Sequence, residues 1–180
     1  MKIIVISGAW CTGKTGVAKK LSELLDWQIF SLDHYKEKRF DQDERGSLIQ
    51  ESYDDLFENL KEALNEDQSC IVESDFIDDQ QVQRLIKISQ HNRADLIQIY
   101  LHAEPKVLAE RFIQRLESGE RHSGHGDEQY LEKAKQSLKS NDYSGEASFS
   151  PLELPGSVIK IETSDFDKID YNSIIETMGS

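Results

Sequence analysis

The feature that most constrains this chain is a short turn near its start, Gly8-Ala9-Trp10-Cys11-Thr12-Gly13-Lys14-Thr15. An apolar, β-branched run, Ile3-Ile4-Val5-Ile6, precedes it. After it, Val17, Leu21, Leu24 and Leu25 recur at helical spacing. The pattern predicts a buried strand over 2–7 that passes through a glycine-rich curl into a helix over 14–25. Gly8 and Gly13 allow the backbone to turn successive N–H groups inward, and the helix start adds the positive end of its dipole. A curl of this kind is a cradle for an anion.

The turn matches G-x-x-x-x-G-K-[ST] in full, in the strand-then-helix context that gives the match its meaning. In that motif the lysine, here Lys14, reaches β- and γ-phosphates, and the hydroxyl, here Thr15, ligates Mg²⁺. The expected cofactors are ATP and Mg²⁺, with the whole stretch Gly8, Ala9, Trp10, Cys11, Thr12, Gly13, Lys14 and Thr15 as nucleotide-binding candidates. Trp10 is expected to pack over the loop. The motif establishes nucleotide binding and leaves the reaction open.

Beyond the turn, strand-like and helix-like segments alternate to the end of the chain, the signature of an α/β domain with a parallel sheet. Further strands are expected over 27–31, 69–73, 95–101 and 157–162. Helices are expected over 47–65, 80–90, 105–118, 129–139 and 165–178. Segments 119–126 and 141–156, rich in glycine, serine or proline, read as loops. The 180 residues suit one domain, with a lid at about 115–128. Cys11 and Cys70 form no spaced framework and read as small core residues rather than a bridge. No apolar run spans a bilayer or resembles a secretory leader, so a cytoplasmic location is expected by default, as monomer or homodimer. With 34 acidic against 21 basic residues the chain carries −13, which excludes nucleic acid and anionic membrane as partners. The same charge is either a solubilising surface or a sign that the acceptor is neutral or cationic.

Among nucleotide-binding classes, a switch GTPase is disfavoured. The guanine-reading pattern [NT]-K-x-D is missing, and Asp167-Lys168-Ile169-Asp170 has the wrong first residue. The second strand ends in Ser31-Leu32-Asp33-His34, which puts Asp33 at the carboxyl edge of the sheet, where ligands of open α/β folds bind. Asp33 there can accept a proton from an attacking hydroxyl; its other role would be to cap a short helix from His34. The third strand runs apolar into acid, Ile71-Val72-Glu73-Ser74-Asp75, as expected before a metal-side carboxylate. Glu73 is the candidate, Asp75 the alternative, and simply ending a strand the other role. Arg111 and Arg115 stand four apart on one helix face, and Arg121 follows in the glycine-flanked loop. Arginines there suit phosphoryl transfer, because they neutralise charge on the transferring oxygens. Arg111 has a second possible role, an ion pair with a local Glu. His122 and His125, with Asp127 nearby, admit either a metal site or polar lid contacts.

At these residues the chain resembles the small P-loop kinases: adenylate- and shikimate-kinase-like enzymes, uridine and nicotinamide riboside kinases, chloramphenicol phosphotransferase and zeta-toxin-like kinases. The segment Glu120-Arg121-His122-Ser123-Gly124-His125 also resembles a lid motif of ATP-binding proteins in this superfamily. The resemblance implies a three-layer P-loop NTPase fold whose five-stranded parallel sheet has the order 2-3-1-4-5. It implies Lys14 and Thr15 on ATP-Mg, Asp33 on the acceptor hydroxyl, Arg115 and Arg121 in the lid, and Thr163 and Ser164 near the adenine. Cys11 and Gly16 depart from the usual loop, and the residues after Asp33 lack the forms found in nucleoside kinases, which argues against a nucleoside acceptor. The function expected is a kinase acting on a hydroxyl of a small molecule, with segment 35–46 and the helix over 47–65 forming the acceptor side. The alternatives are a nucleotide-binding regulatory module with little turnover and an acceptor-independent ATPase.

Overall fold

The computed structural model describes residues 1–43, 49–76, 78–119, 122, 125, 127–143 and 150–179. Five strands, β1 (Lys2–Gly8), β2 (Gln28–Ser31), β3 (Cys70–Glu73), β4 (Asp95–His102) and β5 (Ser157–Glu162), form one sheet in the order β2-β3-β1-β4-β5. All four pairings are parallel, with Val5 opposite Val72 and Gln98, and Ser31 opposite Glu73. The expected order and class are those observed.

Helices cover both faces, which is why β1 is apolar at successive positions rather than alternating. Ile3 and Val5 point into a core shared with Phe30, Leu56, Phe57, Leu60 and Leu85. Leu56, Phe57 and Leu60 come from α3 (Ile49–Asn65) and Leu85 from α4 (Asp79–Asn92). Ile4 and Ile6 point into the opposite core, with Val17, Leu21, Ile99, Ile174 and Met178. There Val17 and Leu21 come from α1 (Lys14–Leu25), and Ile174 and Met178 from α7 (Tyr171–Gly179). Two cores on one sheet make the three layers.

Two elements differ from expectation. The chain after β2 forms a full helix, α2 (Leu32–Asp43), instead of a short turn of helix. Asp33 therefore lies inside the first turn, where a carboxylate complements the helix dipole, and is not a cap. The expected closing helix over 165–178 is broken. A short 3₁₀ turn, Phe166–Lys168, is capped by Asp165, whose Oδ1 accepts from the Asp167 N–H at 3.1 Å. Ile169 is then extended, and Asp170 starts α7 by accepting from the Ser173 N–H at 3.0 Å. α5 (Pro105–Glu117) and α6 (Leu131–Ser140) flank the expected lid, and a 3₁₀ turn over Asp127–Tyr130 leads into α6. Of that lid, Glu120, Arg121, Ser123, Gly124 and Gly126 lie outside the described residues. Among the described residues no helix is long and apolar enough to cross a membrane.

Candidate nucleotide and acceptor site

The turn between β1 and α1 is closed by contacts that only glycine permits. Gly8 has φ +144°, and a Cβ on it would lie 2.3 Å from the Leu101 carbonyl oxygen on β4. Gly13 has φ +88°, and a Cβ there would lie 2.4 Å from the Phe166 ring. Cys11 is left-handed at φ 59° without being glycine, a strained conformation at the tip of the curl. The fully buried Thr12 hydroxyl donates to the Ala9 carbonyl at 2.8 Å and locks the loop from within. Both cysteines are free thiols. Cys70 is a core residue, and burial pushes its thiol up to about 11. Cys11 instead belongs to the loop, because the turn needs a residue there regardless of the core.

Lys14 lies across its own loop. Its Nζ donates to the Gly8 and Ala9 carbonyls, both at 3.0 Å, and pairs with Asp75 Oδ1 at 2.6 Å. The other acid at the end of β3 has a different partner. Glu73 is 4% exposed and accepts from Thr15 Oγ1 at 3.1 Å through Oε1 and from Ser31 Oγ at 2.6 Å through Oε2. Burial raises the Glu73 pKa above its ordinary value; hydrogen bonds from Ser31 and Thr15 and the charge of Lys14 oppose the rise, and Asp33 adds to it. The two acids are aimed apart by the residues that follow. Phe76 adopts φ 46°, and its N–H donates to Ser74 Oγ at 3.1 Å. Ser74 in turn meets the Tyr53 hydroxyl at 2.8 Å, and burial pushes that phenol up to about 12. This turn delivers Asp75 to the lysine and leaves Glu73 beside the threonine.

Asp33 stands in the first turn of α2, just past the end of β2, where its Oδ1 lies 3.6 Å from Lys36 Nζ and 3.9 Å from His125 Nδ1. Among the described residues Arg111 forms no salt bridge with a Glu. Its guanidinium donates to the carbonyls of Thr163 at 2.8 Å, Ser164 at 3.1 Å and Cys11 at 3.4 Å, and lies 3.9 Å above the Phe166 ring. Thr163 is fully buried, with its N–H and hydroxyl both donating to the His102 carbonyl. The Ser164 hydroxyl donates to Glu162, and the Ser164 side-chain and backbone hydrogen bonds lower the Glu162 pKa. Phe166 and Ser31 are contributors that the sequence reading missed. A serine at a strand end opposite an acid was the available signal for Ser31; Phe166 gave none.

Trp10 stacks on Phe112 of α5, with centroids 6.2 Å apart, and tilts against Tyr130 at 5.5 Å. Arg115 is exposed on the last turn of α5, and Arg121 lies outside the described residues. His122 and His125 turn to α2: Nε2 of His122 lies 3.1 Å from Asp41, and Nε2 of His125 lies 2.8 Å from Glu37. Among the described residues no group of three or more candidate metal ligands is found.

A search of curated proteins gives no match. Among solved structures, a candidate kinase from Chloroflexus aurantiacus is 27% identical with a TM-score of 0.84, over 99% of this chain and 96% of that one. A sugar kinase from Janibacter superposes with a TM-score of 0.56 at 15% identity, over 99% and 92% of the two chains. The APS kinase of Mycobacterium tuberculosis, solved with AMPPNP and APS, superposes with a TM-score of 0.56 at 12% identity, over 99% and 98%. At such identities the last two show a shared fold. The AAA_33 family model, an AAA domain, matches residues 3–140, which take in the loop, Asp33, Glu73 and Arg111. The chain belongs to the AAA_33 family of AAA domains and has the P-loop fold found in small kinases.

Proposed function

We propose that this protein is an ATP- and Mg²⁺-dependent kinase that transfers the γ-phosphoryl group to a hydroxyl of a small-molecule acceptor. The observation that carries the reading is the convergence of three strand ends on one edge. β1 ends in the glycine curl with Lys14 and Thr15, β3 ends in Glu73 hydrogen-bonded to Thr15, and β2 leads into Asp33. A hydroxyl and a buried carboxylate 3.1 Å apart make the hard oxygen set that Mg²⁺ takes, so Thr15 and Glu73 fit as its protein-side partners. Mg²⁺ held there would neutralise charge on the phosphates.

The chain's own residues account for the remaining roles. The amides of the curl and Lys14 hold the phosphates; to do so Lys14 must leave the Gly8 and Ala9 carbonyls and Asp75. Asp33 orients the acceptor hydroxyl and takes its proton. Thr163 and Ser164 border the adenine, with Arg111 holding that border to the phosphate loop. Arg115 and Arg121 are assigned to the transferring oxygens. The acceptor enters from the side of α2 and α3, held together there by the paired hydrogen bonds of Arg39 to Asp55 at 2.6 and 2.7 Å.

The test is a screen of sugars, antibiotics, nucleosides and small acids for acceptor-dependent ADP formation, repeated with Asp33→Asn. A kinase of this design loses about 100-fold or more in kcat in that variant, while its affinity for Mg-AMPPNP stays within about twofold. ADP release that ignores both the acceptors and the substitution would refute the proposal.

A further inference from the structure

The first turns of α2 carry a row of acids spaced four apart, Asp33, Glu37 and Asp41, which a helix places on one face. Two histidines close onto that row. His122 Nε2 meets Asp41 Oδ1 at 3.1 Å, its ring set edge-on against Phe40. His125 sits deeper, with a side chain only 2% exposed between two carboxylates. Its Nε2 lies 2.8 Å from Glu37 Oε1 on one side, and its Nδ1 lies 3.9 Å from Asp33 Oδ1 on the other.

Resting on the kinase reading above, we propose that His125 is a positioning residue for Asp33. It is anchored by Glu37 and holds the Asp33 carboxylate in the rotation that receives the acceptor hydroxyl.

The geometry supports this in three ways. An ionised carboxylate only accepts hydrogen bonds, so the contact with Glu37 requires a proton on Nε2, and attraction between the other ring edge and Asp33 requires one on Nδ1 as well. At 3.9 Å the Nδ1–Asp33 contact exceeds a hydrogen bond but lies within electrostatic reach. The same Oδ1 atom also faces Lys36 Nζ at 3.6 Å. Two nitrogen groups on one oxygen resist rotation about the Cβ–Cγ bond, which is otherwise soft. Among the described residues the imidazole faces Asp33 and Glu37 of α2, with Lys36 on the same Asp33 oxygen and the ring of His122 at 6.2 Å between centroids.

The experiment has a spectroscopic arm and a kinetic arm, both on the full chain. Imidazole ¹H–¹⁵N spectra are recorded for the wild type, Asp33→Asn, Glu37→Gln and His125→Gln, the last assigning the His125 signals. Each of the first two substitutions should displace both His125 ring-nitrogen resonances; signals unmoved by Asp33→Asn would overturn the proposal. In the kinetic arm, ADP release from Mg-ATP is followed with water as the acceptor. His125→Phe, similar in ring size but without N–H groups, should lower kcat about tenfold with KM for ATP within about twofold. His125→Gln should recover part of the loss, and Glu37→Gln, which leaves the ring in place, should lower kcat in the same direction. A wild-type kcat in His125→Phe while Asp33→Asn is slow removes the role of His125 alone. A wild-type kcat in Asp33→Asn removes the kinase reading of that residue and the proposal with it. Thermal melts identify any variant that has lost its fold, and Glu37→Gln then decides.

Discussion

The loop lysine is engaged by Asp75 as well as by its own loop carbonyls, and this makes Asp75 a competitor of the phosphates. The 2.6 Å contact joins two groups whose side chains are 11% and 27% exposed, so solvent screens them less than a surface pair. At an effective dielectric near 20, the bare attraction at such a distance is about 6 kcal/mol, most of it offset by desolvation. Asp75→Asn keeps a hydrogen-bonding partner for Lys14 and removes the charge, a net difference of about 1–2 kcal/mol. It also removes one negative charge from the neighbourhood of an anionic ligand, which acts in the same direction. Mg-AMPPNP should therefore bind about 5- to 30-fold more tightly to Asp75→Asn by isothermal titration calorimetry. Melted without nucleotide, the variant should be less stable than the wild type, and saturating nucleotide should close the gap. Equal or weaker binding by the variant would refute the reasoning, because it would mean that Asp75 supports Lys14 in the bound state instead of competing for it.

Glu73→Gln tests the buried carboxylate through pH. Its folded-state pKa is raised above the ordinary 4.5, mainly by burial, so the folded protein binds the proton more tightly than the unfolded chain. Ionised Glu73 thus costs stability that is absent below about pH 4.5, grows as pH rises through the folded pKa, and stays constant above it. Glu73→Gln should melt higher than the wild type at pH 7 and level with it at pH 4, and should weaken the Mg²⁺ dependence of nucleotide binding; a lower melting temperature at pH 7 would contradict this. Arg111→Ala should cost about 2 kcal/mol in chemical denaturation, and Arg111→Lys should recover little, because one ammonium cannot reach three carbonyls as a planar fork does. Gly8→Ala should abolish nucleotide binding or soluble expression, since its methyl group would enter the Leu101 carbonyl; binding within about threefold of wild type would show that the curl can relax.

What could be read beforehand followed from local periodicity and from one motif. β1 and the loop were legible because an apolar run, two glycines and a lysine are all consecutive. α2 was not, because its stability does not come from an apolar stripe. It is held by Arg39 on Asp55 of α3 and by histidines that meet its acid row from far along the chain. The closing helix was overextended because Asp165 and Asp170 read as ordinary helical surface, whereas each accepts a backbone N–H and starts a separate turn. Sequence also left Glu73 and Asp75 as alternatives for the metal-side carboxylate, and it did not say which of them meets Thr15. That contact follows from the left-handed Phe76 and the Ser74–Tyr53 contact, and neither has a sequence signature. Arg111 was the hardest to foresee, since its partners are backbone carbonyls, which every residue carries.

The guanidinium of Arg111 ties together positions 11, 111, 163 and 164, three segments that the chain visits far apart. The family match ends at residue 140, before β5 and before Phe166, whose ring fills the space beside Gly13. A fragment trimmed to the matched span would keep every motif residue of the loop and still lack the ring beside Gly13 and two of the carbonyls that Arg111 holds. Thr163, Ser164 and Phe166 are thus the last course of masonry around the glycine turn, and a domain boundary drawn from sequence matching alone would cut them away.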